Sequence, residues 1–360
     1  MLKSMHVPKA ARFLILLSLG IVAFALFWIS LHVNLDEVRV LIRSVGIPVL
    51  LLALILDILN ILSYGSAWYF LVHTVHPSVR IGKCIQGVMI SIFGDILIPT
   101  ASVTGEALRV AFANKEFDLP YSQGFATTLV HRVLNVFAFA GILGVSSAVL
   151  LVEGGLPPAL RFEVFILLLL VTIPEVLGVI VLRRPSVVTK IVTSVSRRFA
   201  THPRTEKFVK RLLGIMQDFE KAVALIRVRV RVVVVAFAFL ILQWFFQILI
   251  PYVFLIGVST ALQLQGINYW TYFWLVALAF PLYGLVNLMP IGIPAMAGVL
   301  DSAMAGTFIL LGFAPEVAIT TTLLTRIVIV LFESTLTGTV AILSGYQGIL
   351  RDRKDIVEAH

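Results

Sequence analysis

The sequence predicts an all-α, polytopic integral membrane protein with about six full transmembrane helices plus two broken re-entrant hairpins in an inverted repeat. Three observations lead there. Of 360 residues, 59% are hydrophobic and only 13% charged, and the mean hydropathy is strongly positive. Apolar runs of about twenty residues recur, the length a bilayer core requires. Runs such as LILLSLGIVAFALFWISL do not alternate as the strands of a membrane barrel would. Finally, 13 of the 28 Lys and Arg lie between Arg183 and Arg231. In a membrane protein such asymmetry reports orientation and contact with anionic lipid.

The apolar segments fall near 13–31, 47–72, 81–98, 102–114, 121–152, 160–182, 231–258, 269–289, 294–312 and 316–344. The first lacks an A-x-A-like cleavage site and reads as a retained helix. Segments 81–98 and 102–114 are parted by IPTASVTG, with Pro99 and Gly105; 269–289 and 294–312 are parted by NLMPIGIP, with Pro290, Gly292 and Pro294. Proline removes a backbone donor and clashes with the preceding turn, so neither pair is one continuous helix. Reading 81–114 and 269–312 as hairpins leaves six spans. The N-terminus, the 183–230 loop and the C-terminus then all fall on the side that positive charge marks as cytoplasmic, and the hairpins open to opposite sides. The organisation predicted is a first membrane half (1–182), a basic linker (183–230) and a second membrane half (231–360). Within the linker, residues 206–226 have helical apolar spacing, which suggests either an amphipathic helix lying on the inner leaflet or a solvated basic loop.

The halves resemble one another. ATTLVHRVLNV (126–136) aligns with TTTLLTRIVIV (320–330), placing Arg132 over Arg326. Upstream, each half has a proline break followed by a glycine and an acid: Gly105-Glu106 in one, Gly298 and then Asp301 in the other. Each arginine lies about ten residues into its helix, hence roughly 15 Å deep. A guanidinium there needs a carboxylate, backbone carbonyls, water or an anionic ligand. Two readings stand. In one, Glu106 or Asp95 neutralises Arg132, and Asp301 neutralises Arg326. In the other, both arginines face one wet midplane cavity and bind an anionic headgroup, because guanidinium forks and helix N-termini both suit phosphate oxygens. Arg109 either pairs with Glu106 one turn away or extends the basic site. Thr128 and Thr322, about a turn before the arginines, are further candidates to touch the ligand. His131 is expected on another helix face. Asp57 and Glu175 are intramembrane acids; Glu175, after Pro174, either satisfies a kinked backbone or relays protons.

Several classes are set aside. The single cysteine, Cys84, allows no intrachain disulfide, and His73 with His76 makes a weak metal case, so no metal and no cofactor are expected. Walker, G-x-S-x-G, H-E-x-x-H and dinucleotide motifs are missing, so the protein is not expected to be an enzyme. Basic residues are not interleaved with stacking aromatics, so nucleic acid is not an expected partner.

These residues resemble a known family. PTASVTGEALR (99–109), HR (131–132), MPIGIPAMAGVLD (289–301) and LLTR (323–326) are similar to the motifs of the lysylphosphatidylglycerol synthase transmembrane family. Its members usually read P-x-x-x-G-E-x-x-R, E-R, P-G-G-L-G-x-x-E and L-x-x-R. The resemblance implies kinship with the flippase domain of the bacterial multiple peptide resistance factor, which moves an aminoacylated phosphatidylglycerol between leaflets. It places Gly105, Glu106, Arg109, Arg132, Gly298, Asp301 and Arg326 on the family's polar positions. His131 and Asp301 stand where the family usually has Glu, and AMAG stands for GGLG. The relatives' aminoacyl-transfer domain has no counterpart in this sequence.

The function expected is that of a lipid flippase-like transporter translocating an anionic or aminoacylated phospholipid, or a polyprenyl-phosphate-linked lipid, between leaflets of the cell membrane. The alternatives are an ion-coupled transporter of a small anion, or a non-transporting partner of a lipid-modifying enzyme. Expected partners are membrane lipids through an anionic headgroup. A lipid-synthesising or glycosyltransferase enzyme and a second copy of the chain are further candidates.

Overall fold

The computed structural model describes residues 35–98, 102–155, 158–184, 216–226, 228–263, 268–286 and 293–345, with a few positions between 186 and 194. The 13–31 span, Pro99, Pro290, Gly292, most of the basic linker and the C-terminal residues lie outside this set. All regular structure among the described residues is helical. The helices are α1 (Leu35–Ser44), α2 (Ile47–Val75), α3 (Ile81–Leu97), α4 (Val103–Phe117), α5 (Tyr121–Val152), α6 (Arg161–Arg183), α7 (Val230–Ala261), α8 (Tyr269–Val286), α9 (Val299–Leu310), α10 (Pro315–Arg326) and α11 (Glu333–Leu343). A π-helical segment, Ile327–Phe332, joins α10 to α11.

Among the described residues, four helical stretches are long and apolar enough to cross a membrane: Gly46–Val75, Tyr121–Val152, Val230–Ala261 and Pro315–Leu343. Their surfaces divide as lipid and protein contact require. On α2, Leu51, Ile55, Ile58 and Leu62 face outward, whereas Asp57, Asn60 and Trp68 are buried. On α6, Phe162, Phe165, Leu169, Ile173 and Leu177 are exposed, as expected of a peripheral helix whose solvent is acyl chain.

The first hairpin is antiparallel and tightly closed. Lys83 meets Glu116 at its open end, at 2.8 Å. Small residues on α3 let α4 approach: a Cβ on Gly94 would lie 2.3 Å from Leu108 Cδ1, and one on Gly87 would lie 2.7 Å from Phe112 Cδ1. At 17 and 15 residues the arms reach about 25 and 22 Å, short of a hydrocarbon core about 30 Å thick. α8 and α9 pair similarly around the second break, with Tyr272 of α8 edge-on to Phe313 just past α9.

The two halves pack as a two-fold repeat demands. The corresponding helices α2 and α7 form the most extensive contact and run antiparallel: Gly257 sits on Val45 and Val49, Gln243 bonds Asn60 at 2.9 Å, and Phe239 stacks on Phe70. The first arm of each hairpin packs on the span that follows the hairpin of the other half, α3 on α11 and α8 on α5. Opposed directions of equivalent helices are what an inverted repeat means.

Two features differ from the sequence expectation. Helix α1 was not anticipated; its ten residues are too few for a span, but Val38 packs against Ala305 and Ile319, and Leu41 against the larger core. The expected amphipathic helix is helical over 216–226, the part described. Its apolar stripe does not lie in the leaflet: Phe219, Ala222, Val223 and Ile226 are buried against Ala67, Leu71, Ala126 and Val130 of α2 and α5. A protein groove was available, and dense side-chain packing fills it better than fluid chains would.

Gly105 at the hairpin tip has no room for a side chain, since a Cβ would lie 2.2 Å from Asp95 Oδ2 and 2.5 Å from the Ser91 carbonyl oxygen. Gly105→Ala should lower stability by about 1–3 kcal/mol, read as a reduced thermal midpoint in detergent. Gly141→Ala, at a site with open space around it, should not lower it.

Candidate functional site

The charges gather at the two helix breaks. At the first, Ser102 takes a left-handed backbone (φ 67°) before α4 starts. The Gly105 amide, one of the orphan donors of a helix N-terminus, donates to Asp95 Oδ1 at 2.8 Å. Glu106 reaches α5, where Arg132 Nη1 donates to its Oε1. At the second break Ala295 and Met296 are left-handed (φ 50° and 46°), and Gly298 has φ 80°. The Gly298 amide donates to Asp301 Oδ2 at 2.6 Å. Arg326 Nε donates to Asp301 Oδ1 at 2.9 Å, and Arg326 Nη2 to the Ala295 carbonyl at 2.6 Å.

The same arrangement is thus built twice: a glycine amide bonded to a carboxylate, beside an acid bonded to an arginine on the following span. The acid–arginine separations are 26 and 25 residues. In the second half Asp301 does both jobs. In the first they are divided between Asp95 and Glu106. That division is why Asp95, an alternative partner for Arg132 on sequence grounds, is occupied elsewhere.

Each arginine is therefore held by its own acid at its own break, as the pairing reading expects. Glu106 is the strongest charge acting on Arg132, with Tyr64 of α2 and Asp95 of the first hairpin contributing further. The two contacts differ in seclusion. The side chains of Arg132 and Glu106 are 32% and 27% exposed, against 11% and 12% for Arg326 and Asp301. The breaks are not remote from one another, because the Pro294–Met296 turn packs on α3 of the first hairpin.

Arg109 follows neither sequence expectation. It is 3% exposed and turns away from Glu106, which Arg132 occupies. Its Nη1 meets His131 Nδ1 at 3.1 Å and its Nη2 donates to Ser91 Oγ at 3.0 Å. The guanidinium carbon lies 5.1 Å and 5.5 Å from the ring centres of Tyr64 and Trp68, within cation–π range. Since a guanidinium only donates, His131 Nδ1 must accept, leaving Nε2–H to donate to the Tyr64 carbonyl at 3.2 Å. Arg109 thereby ties α3, α2 and α5 together. The adjacent H-R pair was the available signal for this cage, but it points along α5 and says nothing of α4.

The threonines before the arginines are buried, Thr128 at 2% and Thr322 at 0% exposure, and neither hydroxyl has a hydrogen-bond partner. Thr320 and Thr321 are the same, whereas Thr127 and Thr325 bond the carbonyls of Gly124 and Thr321. Polar groups left unpaired beside buried arginines are unusual in a settled core. Pro294 lies in the second break as expected, and Pro99, Pro290 and Gly292 fall outside the described residues. Among the described residues, no group of three His, Cys, Asp or Glu converges as a metal site would require.

Removing the acid from the more secluded pair strands a buried guanidinium, a loss of about 3–5 kcal/mol. Asp301→Asn should therefore lower the thermal midpoint in detergent clearly more than Glu106→Gln, whose pair is part-exposed and screened. Equal effects would contradict the burial difference.

The profile of the lysylphosphatidylglycerol synthase TM region matches residues 15–336. Among curated relatives, a UPF0104 membrane protein of Pyrococcus horikoshii is 24% identical over 325 residues, covering 88% of this chain and 91% of the relative. One from Methanocaldococcus jannaschii is 22% identical over 303 residues, covering 83% and 86%. A third, from Methanothermobacter thermautotrophicus, is 24% identical over 187 residues, about half of each chain (52% and 53%). No solved structure matches.

Proposed function

This chain belongs to the lysylphosphatidylglycerol synthase transmembrane family, and from that premise we propose that it is a lipid flippase-like carrier. Its substrate is a lipid with an anionic headgroup, aminoacylated or not, on acyl or polyprenyl chains. The single observation that supports this most is the duplicated arginine–carboxylate contact, Arg132–Glu106 and Arg326–Asp301, placed where a broken hairpin meets a long span.

A phosphodiester offers each guanidinium what its carboxylate offers now: two oxygens at the right spacing for a fork. Exchange of partner would release Glu106 or Asp301 from the arginine and loosen the tip that the contact closes. Arg326 also grips the Ala295 carbonyl, so its departure would free the backbone of the second break as well. An aminoacylated headgroup carries an ammonium beside its phosphate, and the released carboxylate is the natural partner for it. Binding energy is then spent on opening only when a correctly charged headgroup arrives. The lipid chains remain in the bilayer throughout. The two hairpins open to opposite sides of the cell membrane, with both termini cytoplasmic as the Lys and Arg distribution requires. The protein carries out no covalent chemistry itself and works with whichever enzyme makes its lipid.

Reconstituted proteoliposomes containing a headgroup-labelled phosphatidylglycerol, its lysyl ester or a polyprenyl phosphate, in separate preparations, test this. Movement is read as headgroup accessibility to a membrane-impermeant quencher. Arg132→Ala and Arg326→Ala should each abolish it, and Arg→Lys should restore little, because an ammonium lacks the fork. Full transport in both alanine variants, or transport of a soluble anion with no lipid movement, would refute the reading.

A further inference from the structure

One pair of acids lies outside the headgroup site. Asp57 of α2 is 0% exposed, and neither of its carboxylate oxygens receives a hydrogen bond of normal geometry. Asn60, a turn on, is the nearest favourable group, and its own Oδ1 is taken by Gln243 Nε2 at 2.9 Å. Gln243 belongs to α7, is 6% exposed, and its Oε1 is also without a partner. The π segment packs on α2 and brings half-buried Glu333, the first residue of α11, into the neighbourhood of Asp57. Asp57 lies ten residues from the start of α2, and Glu333 ten before the end of α11. Each is about 15 Å from a helix end, near the middle of a bilayer core.

Among the described residues, the surroundings supply no counter-charge. From α7 come the neutral amides of Gln243 and Gln247. On the π segment and α11 the titratable group is Glu333. Arg109, of α4, sits over Tyr64 and Trp68, seven and eleven residues along α2 from Asp57, so about 10 Å or more away along the helix axis. On α5, Arg132 is paired with Glu106, and on α3 Asp95 caps Gly105. Two neighbouring carboxylates in a low-dielectric interior cannot both stay ionised. A metal ion would need further oxygen ligands, and no third acid or histidine converges among the described residues.

We infer that Asp57 and Glu333 form a proton-binding site where the two halves meet, one proton being shared between the two carboxyl groups, and that its loading and release drive the carrier cycle. The coupling clause rests on the flippase reading; the proton site does not. The link is the π-helical segment Ile327–Phe332, which runs directly from Arg326 to Glu333. A π turn holds one residue more than an α turn and is a place where helix register can shift. Moving that extra residue along would rotate Glu333 relative to Arg326 by about 100°. Charge at Glu333 and grip at Arg326 are therefore exchanged through six residues of one helix.

Difference infrared spectroscopy on the reconstituted full chain reads the site without any transport. The expected result is a carboxylic-acid carbonyl band at neutral pH that shifts in heavy water and disappears on titration to high pH. It should be lost in Asp57→Asn and in Glu333→Gln, both near-isosteric. In the wild type, no such band at neutral pH would overturn the proposal. So would its removal by sodium at fixed pH, which would make the site a sodium site. In the proteoliposome assay a pH gradient should bias the direction of headgroup movement, and each variant should lose that bias. Movement indifferent to the gradient would overturn the coupling, while absence of any movement in the wild type would sink the flippase reading and leave the infrared result standing.

Discussion

A helix that starts inside a membrane protein leaves amide donors with no water to satisfy them, and an arginine at the same depth leaves a charge in the same position. The breaks at Gly105 and Gly298 answer both demands with carboxylates. Asp95 takes the Gly105 amide and Glu106 takes Arg132; Asp301 takes the Gly298 amide and Arg326 together. Either need alone costs several kcal/mol if unmet in an apolar medium. The short hairpins can exist at this depth because the acids meet both at once. The long spans α5 and α10 are fixed to the hairpin tips by the same contacts. The positive-φ residues Ser102, Ala295 and Gly298 are the turns that bring those groups into register.

This constraint explains which parts of the site could be read from the sequence. An arginine ten residues into an apolar run announces a partner, and an acid just after a glycine following a proline break is the obvious one. Glu106 with Arg132 and Asp301 with Arg326 were therefore legible, as was the internal repeat, because the spacing from acid to arginine is conserved between halves. The directions of α2 and α7 follow from counting spans. Arg109 was not legible. Its partners are His131, Ser91 and two aromatic rings from three other helices, and none is at helical spacing from it. Local reasoning favoured Glu106, one turn away, but a carboxylate goes to whichever guanidinium the fold presents to it. Glu333 was hidden for a related reason. It lies inside the 316–344 apolar run with no helix break or arginine pairing to single it out, and only the packing of α2 against the π segment brings it near Asp57.

Short elements were read least well. Helix α1 has ten residues, and although Val38, Leu41 and Val45 recur at helical spacing with acids in its first turn, it is too short to stand out beside the long apolar runs. Its burial comes from other helices, Val38 against α9 and α10 and the rest of the helix against α7 and the larger core. Residues 216–226 have the periodicity of a helix seeking an apolar surface. Periodicity does not say whether that surface is lipid or protein, and here it is the groove beside α2 and α5.

The chain's polar groups form two tiers. Around Arg109, Arg132 and Arg326 nearly every charge is answered by a neighbour, which is the condition of a closed state. Around Thr128, Thr320, Thr321, Thr322, Gln243 and Asp57, buried oxygens remain without partners. A stable core does not ordinarily leave so many unanswered, and they lie on α2, α5, α7 and α10, the helices at the junction of the halves. A fold meant only to persist would have filled these positions with apolar side chains of similar volume, as buried polar groups can often be replaced without loss. Their retention makes sense if the unanswered oxygens belong to a second arrangement of the same helices. In that arrangement the arginine contacts are broken and the central groups meet a headgroup, water or a proton. The closed contacts and the unpaired oxygens are then two halves of one cycle, and the π segment between Arg326 and Glu333 is where they exchange.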